Sequence, residues 1–249
     1  MSSFIMNSPP LLFAWYQVEL GIYIDIDAGY RALTEKMKSA GFEVPNKMGD
    51  SGALFHQEDY QTTVFVSTGT VYIFTTDYCD AKTFSGILVK VLEACEEIAE
   101  TKIIVKAISL GFLNGFEFDE QKNDGRTPLI KAELQGLKFQ QNDHEHRTFE
   151  YWCDCKPSGR LDVKIKSKHA THIKPDPVET FGMAWSPPFE EIHKIYVYSI
   201  LITMKEKFSP PQKIEPLIEV IQRYHKICGQ TFSSCASEQG KKEWGYEEK

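Results

Sequence analysis

Between residues 62 and 117 the apolar period changes twice, and that switching limits what the chain can fold into. "TTVFVSTG" and "TVYIFTTDY" are rich in Val, Ile, Phe and Tyr and meet at a tight turn near Thr68-Gly69, so they read as a β-hairpin. "TFSGILVKVLEACEEIAE" changes to helical spacing, with Ile87, Val91, Leu92, Cys95 and Ile98 on one stripe and Glu93, Glu96, Glu97 and Glu100 on the wet face. "KIIVKAISLGFLNGFEF" returns to strand. Upstream, "YQVELGIYIDI" (16–26) alternates as a strand. "AGYRALTEKMKSAGF" follows as a helix, with Leu33 and Met37 at helical spacing and Gly41 as its stop. "ALFHQED" adds a strand. The order β-α-β-β-(β)-α-β is the split βαβ pattern, so residues 1–125 are expected to form a ferredoxin-like domain.

"DEQKNDGRTP" (119–128) is a polar Gly/Pro linker and marks the expected domain boundary. The second domain, 126–249, opens with strands "LIKAELQGLKF", "HRTFEYWCDC" and "RLDVKIKSKH", the last two joined at Lys156-Pro157-Ser158-Gly159. A Pro-rich loop runs from 174 to 188. "FEEIHKIYVYSILITMKEKF" (189–208) reads as a long helix stopped by Ser209-Pro210-Pro211, and a shorter helix spans 213–228. The polar last twenty residues are expected to be loosely ordered. The fold class expected is α+β: a ferredoxin-like half, then an antiparallel sheet packed by two C-terminal helices, the first of them long.

At 249 residues, 42% apolar and 25% charged, the chain reads as an ordinary globular protein able to bury a core without disulfides. A net charge of −7 argues against a dedicated nucleic-acid binder and leaves room for a local basic patch. The six cysteines are scattered, which fits free thiols in a reducing cytosol. The apolar stretch 4–15 contains Pro9 and Pro10 and has no basic flank, so neither a secretory signal nor a membrane span is expected. The expected location is cytoplasmic.

Three groups of residues offer chemistry. In "IYIDIDAGY", Asp25 and Asp27 are candidate ligands for Mg²⁺, against the simpler reading of an acidic helix N-cap. In "HEHRTFEYWCDC", His144 and His146 with Cys153 and Cys155 have the donor types of a zinc site. The "RTFEYW" between the pairs reads as strand, which favours cysteines packed on a sheet. No cofactor is expected. Last, His144, His146, His169 and His172 bracket a basic hairpin over 156–174, with Arg160, Lys164, Lys166 and Lys168 as candidate phosphate contacts and the histidines as candidate acid-base groups. Lysines also protect edge strands, which is the competing explanation. No Walker A loop, GxSxG, HExxH or GxGxxG occurs in the chain.

Some of these stretches carry resemblances. "PPLL", "TVFVSTGTVYIF", "VKAISLGFLN" and "HKIYVYSILIT" (193–203) resemble, in order and character, a sporadic, uncharacterised bacterial family whose members have this chain's length. The likeness covers residues 9 to 208 and implies a prokaryotic or phage-related source, with no catalytic residues to carry over. The layout is similar to that of tandem ferredoxin-like CRISPR repeat endonucleases, without their C-terminal glycine-rich loop. "IYIDIDAGY" is similar to the first metal motif of translesion polymerases and diguanylate cyclases, but the hairpin "VSTGTVY" lacks the further acidic residue those families carry.

The leading expectation is a non-catalytic binding or assembly protein, in a prokaryotic defence or mobile-element setting implied by the first resemblance. Its protein partner or second copy would dock through the 189–208 helix. An RNA-binding protein or metal-independent ribonuclease using the His/Lys cluster is the alternative, and a Mg²⁺-dependent palm-type cyclase or polymerase the third.

Overall fold

In the computed structural model, the described residues are 4–5, 11–48, 52–57, 61–117, 131, 134, 147–170, 196–243 and 247–248. They form a mixed α+β structure. In chain order the elements are β1 (Phe4–Ile5), β2 (Leu11–Leu20), α1 (Ile26–Ser39), β3 (Val44–Lys47), β4 (Gly52–His56), β5 (Thr62–Ser67), β6 (Thr70–Thr75), α2 (Ala81–Ala99) and β7 (Val105–Glu117). After them come β8 (Arg147–Asp154), β9 (Arg160–Ala170), β10 (Tyr196–Gln212), α3 (Ile214–Cys235), α4 (Glu238–Glu243) and β11 (Glu247–Glu248). Nine strands make one antiparallel sheet in the order β3-β4-β5-β6-β2-β7-β10-β9-β8, and β1 pairs with β11 apart from it. The sheet continues from the first half into the second through β7 and β10, which pair from Tyr196–Glu117 to Gln212–Val105. The proposed linker at 119–128 lies outside the described residues.

Each helix follows from its sequence. Asp25 caps α1 by accepting from Ala28 N–H at 3.0 Å, and Asp80 caps α2 by accepting from Thr83 N–H at 2.8 Å. The buried face of α2 is Phe84, Leu88, Val91, Leu92 and Cys95, so the stripe read from the sequence is rotated slightly toward Phe84. α3 carries Pro216 in its first turn, where a missing N–H costs no hydrogen bond, and buries Ile214, Leu217, Ile221, Tyr224, His225, Cys228 and Phe232 at three- and four-residue steps. α2 touches α1 on one side and α3 on the other, and α3 rests over β7 and β10. Between the helices and the sheet lies the main core, built on the strands by Tyr16, Val18, Ile73, Ile108, Leu110, Val163, Ile202 and their neighbours. A smaller cluster of Phe13, Trp15, Phe74 and Leu113 lies on the opposite sheet face. There the Trp15 indole lies on Gly111, where a Cβ would meet the ring at 2.0 Å.

The second half departs from expectation in one main respect. The 189–208 helix is not formed: residues 196–212 are the strand β10, and 189–195 lie outside the described residues. From Tyr196 to Met204 the stretch is largely apolar because β10 is interior and meets packing on both faces. Ile200, Ile202 and Met204 enter the main core, while Leu201 packs on the smaller cluster. A strand buried on both faces loses its alternation and mimics a buried helix; β-branched and aromatic residues then decide for strand. Pro210 and Pro211 sit in the register shift between Lys207 and Gln212, where no ladder bond is required of them. The strand expected over 16–26 is β2, which runs from Leu11 to Leu20. The terminal region expected to be loose holds the end of α3 and the short α4. The hairpin closing at 156–159 forms as read, with β8 and β9 paired from Asp154–Arg160 to Arg147–Ser167.

Candidate interaction edge

β8 ends the sheet; among the described residues its strand neighbour is β9, on one side. The Cys155 N–H donates to Gly159 O at 2.8 Å at the hairpin base, and the β8–β9 register runs from there without a shift. Odd-numbered β8 residues therefore turn their N–H and C=O toward β9, while Thr148, Glu150, Trp152 and Asp154 turn theirs outward.

Side chains alternate across this edge. Phe149 stands opposite Ile165, Tyr151 opposite Val163 and Cys153 opposite Leu161, all on the helix-covered face. The β9 partners are buried, but α3 reaches β10 and β7, and one strand further out Phe149 and Tyr151 stay 48% and 50% exposed. On the other face Trp152 is 59% exposed and carries the Arg160 guanidinium 4.6 Å from its ring centroid. Arg160 Nε donates to Asp162 Oδ1 at 2.8 Å, and the second Asp162 oxygen lies 3.3 Å from Lys205 Nζ. Glu150 pairs with Lys164 at 2.8 Å.

The edge is tied to β10 and α3 at its hairpin turn. Glu206 of β10 accepts from the Tyr224 hydroxyl at 2.5 Å and from Arg223 Nη2 at 2.9 Å. Arg223 Nη2 also reaches Ser158 Oγ in the hairpin turn at 3.4 Å. Burial, reinforced by the carboxylate, pushes the Tyr224 hydroxyl pKa up. Gly159 has φ +99°, and a Cβ there would crowd Met204 and the Tyr224 hydroxyl at 3.3 and 3.4 Å, so turn and helix are fitted to each other. Cys153 and Cys155 pack, half-buried, against the main core as sheet residues, and all six cysteines are free thiols. Burial raises the Cys155 thiol, with the neighbouring Cys153 adding to it.

Next to Tyr224 on α3, His225 joins the two halves of the chain. Its Nε2 lies 2.5 Å from the Tyr16 hydroxyl and its Nδ1 lies 3.1 Å from the Tyr78 hydroxyl. A neutral imidazole serves both, one nitrogen donating and the other accepting. Ser85 Oγ stands 3.4 Å from the same Tyr16 hydroxyl and donates to Ala81 O. Burial holds the His225 pKa down to about 4 and pushes the Tyr16 and Tyr78 hydroxyls up. These residues are separated by 209 and 147 positions, so nothing in their local sequence pairs them.

The sequence candidates fall in different places. Asp25 caps α1, and Asp27 in the first turn forms an ion pair with Lys47. His144, His146 and His172 lie outside the described residues. His169, Lys166 and Lys168 are placed on β9 by backbone alone. Arg160 and Lys164, on the sheet face away from the helices, meet Asp162 and Glu150 as above. Among the described residues no group of three or more His, Cys, Asp or Glu side chains is arranged to hold a metal ion, and no helix is long and apolar enough to cross a membrane. No protein-family model matches the chain, and no curated protein matches it.

Proposed function

We propose that the chain is a binding or assembly protein that presents the β8 edge to a protein partner. The observation that carries this reading is the edge itself: eight residues, four of them with outward backbone groups, with Phe149, Tyr151 and Trp152 exposed and none of the eight Pro or Lys. An edge strand of this kind is a template for strand addition. Exposed aromatics are the side chains that most often anchor protein interfaces. The Glu206–Arg223–Tyr224 lock holds the edge in one geometry, which lowers the ordering cost of binding. Arg160 and Lys164 each lie against a carboxylate of this chain, which favours a protein over a phosphate backbone as the partner here.

In the first half, the strand order β5-β6-β2-β7, with α1 leaving β2 and α2 joining β6 to β7, supports a ferredoxin-like arrangement, with β3 and β4 as an added hairpin. Free thiols at all six cysteines support a reducing, cytosolic setting.

The test is a native mass spectrum of the full chain purified gently from its own host. A complex of fixed stoichiometry is the expected result. A bare 28.5 kDa species under every gentle condition would remove the reading.

A further inference from the structure

We infer that the partner at the β8 edge is a second copy of this chain, paired antiparallel β8 to β8 about a two-fold axis through Tyr151, so that the two nine-stranded sheets become one. This rests on the binding reading above and names its occupant.

Parity permits self-pairing of this strand, and charge and apolar contact then select the register. First, the outward hydrogen-bonding groups belong to Thr148, Glu150, Trp152 and Asp154, all of one parity. A two-fold that preserves the sheet faces must pair residues of like parity, and β8 satisfies that requirement along its length. Second, charge chooses among the neighbouring registers. A two-fold at Glu150 sets Glu150 against Glu150, and one at Trp152 sets Glu150 against Asp154; both oppose like charges, which is unfavourable in cross-strand pairs. The two-fold at Tyr151 instead sets Glu150 against the partner's Trp152, whose ring carries the Arg160 guanidinium. It also pairs Thr148 with Asp154 in the ladder, so no two carboxylates face each other. Third, the same register places Tyr151 on Tyr151 at a pair without mutual hydrogen bonds, where side chains approach most closely. Phe149 then stands on the half-buried Cys153, so each aromatic side chain left uncovered by α3 gains an apolar neighbour. The contact is about eight residues a side, smaller than the roughly 20–30 of a standard interface, so the dimer is expected to dissociate on dilution.

The experiment is light scattering of the full chain across a concentration series, beside the variants Phe149→Lys/Tyr151→Lys and Glu150→Lys. Both aromatic positions are exposed in the monomer, and circular dichroism verifies that the variants fold. The wild type is expected to approach twice 28.5 kDa at high concentration and the double variant to stay monomeric. Glu150→Lys sets a cation against the partner's Arg160 and is expected to raise the dimer dissociation constant about three- to tenfold. Strengthening by Glu150→Lys would instead indicate the Trp152-centred register, and an unchanged constant the Glu150-centred one; either overturns the Tyr151 axis. A dimer that survives Phe149→Lys/Tyr151→Lys uses another surface and overturns the inference. A wild type that stays monomeric at its highest soluble concentration does so too. If a different protein then co-purifies and is lost in the double variant, the binding reading stands while self-pairing falls. A bare monomer with no partner sinks both.

Discussion

At one end of the sheet β3 offers four residues, and its outward-facing positions are Pro45 and Lys47. The Met48 N–H, donating to Gly52 O at 2.9 Å, fixes which positions turn inward. Proline has no N–H to offer, and Lys47 is charged, ion-paired to Asp27 and set over the Tyr30 ring. At the other end β8 offers eight residues with no Pro or Lys and three large apolar side chains in water. Among the described residues the sheet guards one edge in this way and not the other, and an unguarded edge invites pairing with other chains. Their supports differ as well. α1 packs near β3 and β4, whereas the β8 hairpin is tied to α3 through Arg223 and Ser158.

The largest expected effect comes from cutting the β8 support. Glu206→Ala leaves the part-buried Arg223 without its carboxylate and is expected to cost about 3–5 kcal/mol in urea unfolding. Hydrogen exchange should show the loss concentrated in β8–β10 and α3, with β3–β6 retaining protection; uniform loss would mean that the two ends are not separable. Next is acid. His225 ionises at about 4 in the folded chain and near 6.5 unfolded, so the unfolded state takes up a proton first. The stability due to neutral His225 is complete above pH 6.5 and falls by about 3 kcal/mol as pH drops toward 4. His225→Gln should flatten that slope in thermal melts followed across the range. His56 in β4, also held down by burial, leaves a residual slope from the β3 side.

At the β3 end the effects are smaller. Asp25→Ala removes the α1 cap and is expected to cost about 1 kcal/mol, and Asp25→Asn only a few tenths, because asparagine also caps. Equal losses from both would point to a role for the carboxylate charge beyond capping. The smallest change in stability, within about 0.5 kcal/mol, is expected for Pro45→Thr/Lys47→Thr, whose exposed ion pair contributes little. That variant should nonetheless gain self-association by light scattering. If it stays as dispersed as the wild type, Pro45 and Lys47 are not what guards this edge.

Residues whose partners are near in sequence could be read directly. The Thr68-Gly69 hairpin, the α2 stripe, the α1 and α3 helices and the 156–159 turn all follow from period and punctuation. β10 could not, because a strand covered on both faces keeps no alternation, and Ile192, Ile195, Tyr196, Ile200 and Met204 also fit helical spacing. β8 was legible as a strand with cysteines on the Tyr151 face, but its place at the sheet edge depends on where β9 and β10 insert. The same holds for Tyr16, Tyr78 and His225, whose bonds span most of the chain. The exposed aromatics therefore looked like any half-buried strand residues until the strand order was known.

The contrast between Trp15 and Trp152 gives the molecule an optical consequence. Trp15 is sealed against Gly111 within the sheet's smaller cluster, whereas Trp152 stands in water under a guanidinium. The emission of Trp152 responds to its solvation and to the cation above it, while that of Trp15 stays constant as long as the sheet is intact. The protein thus carries a fluorophore at its edge and a reference in its interior, so coverage of β8 can be followed by light once the other two tryptophans, Trp185 and Trp244, are replaced.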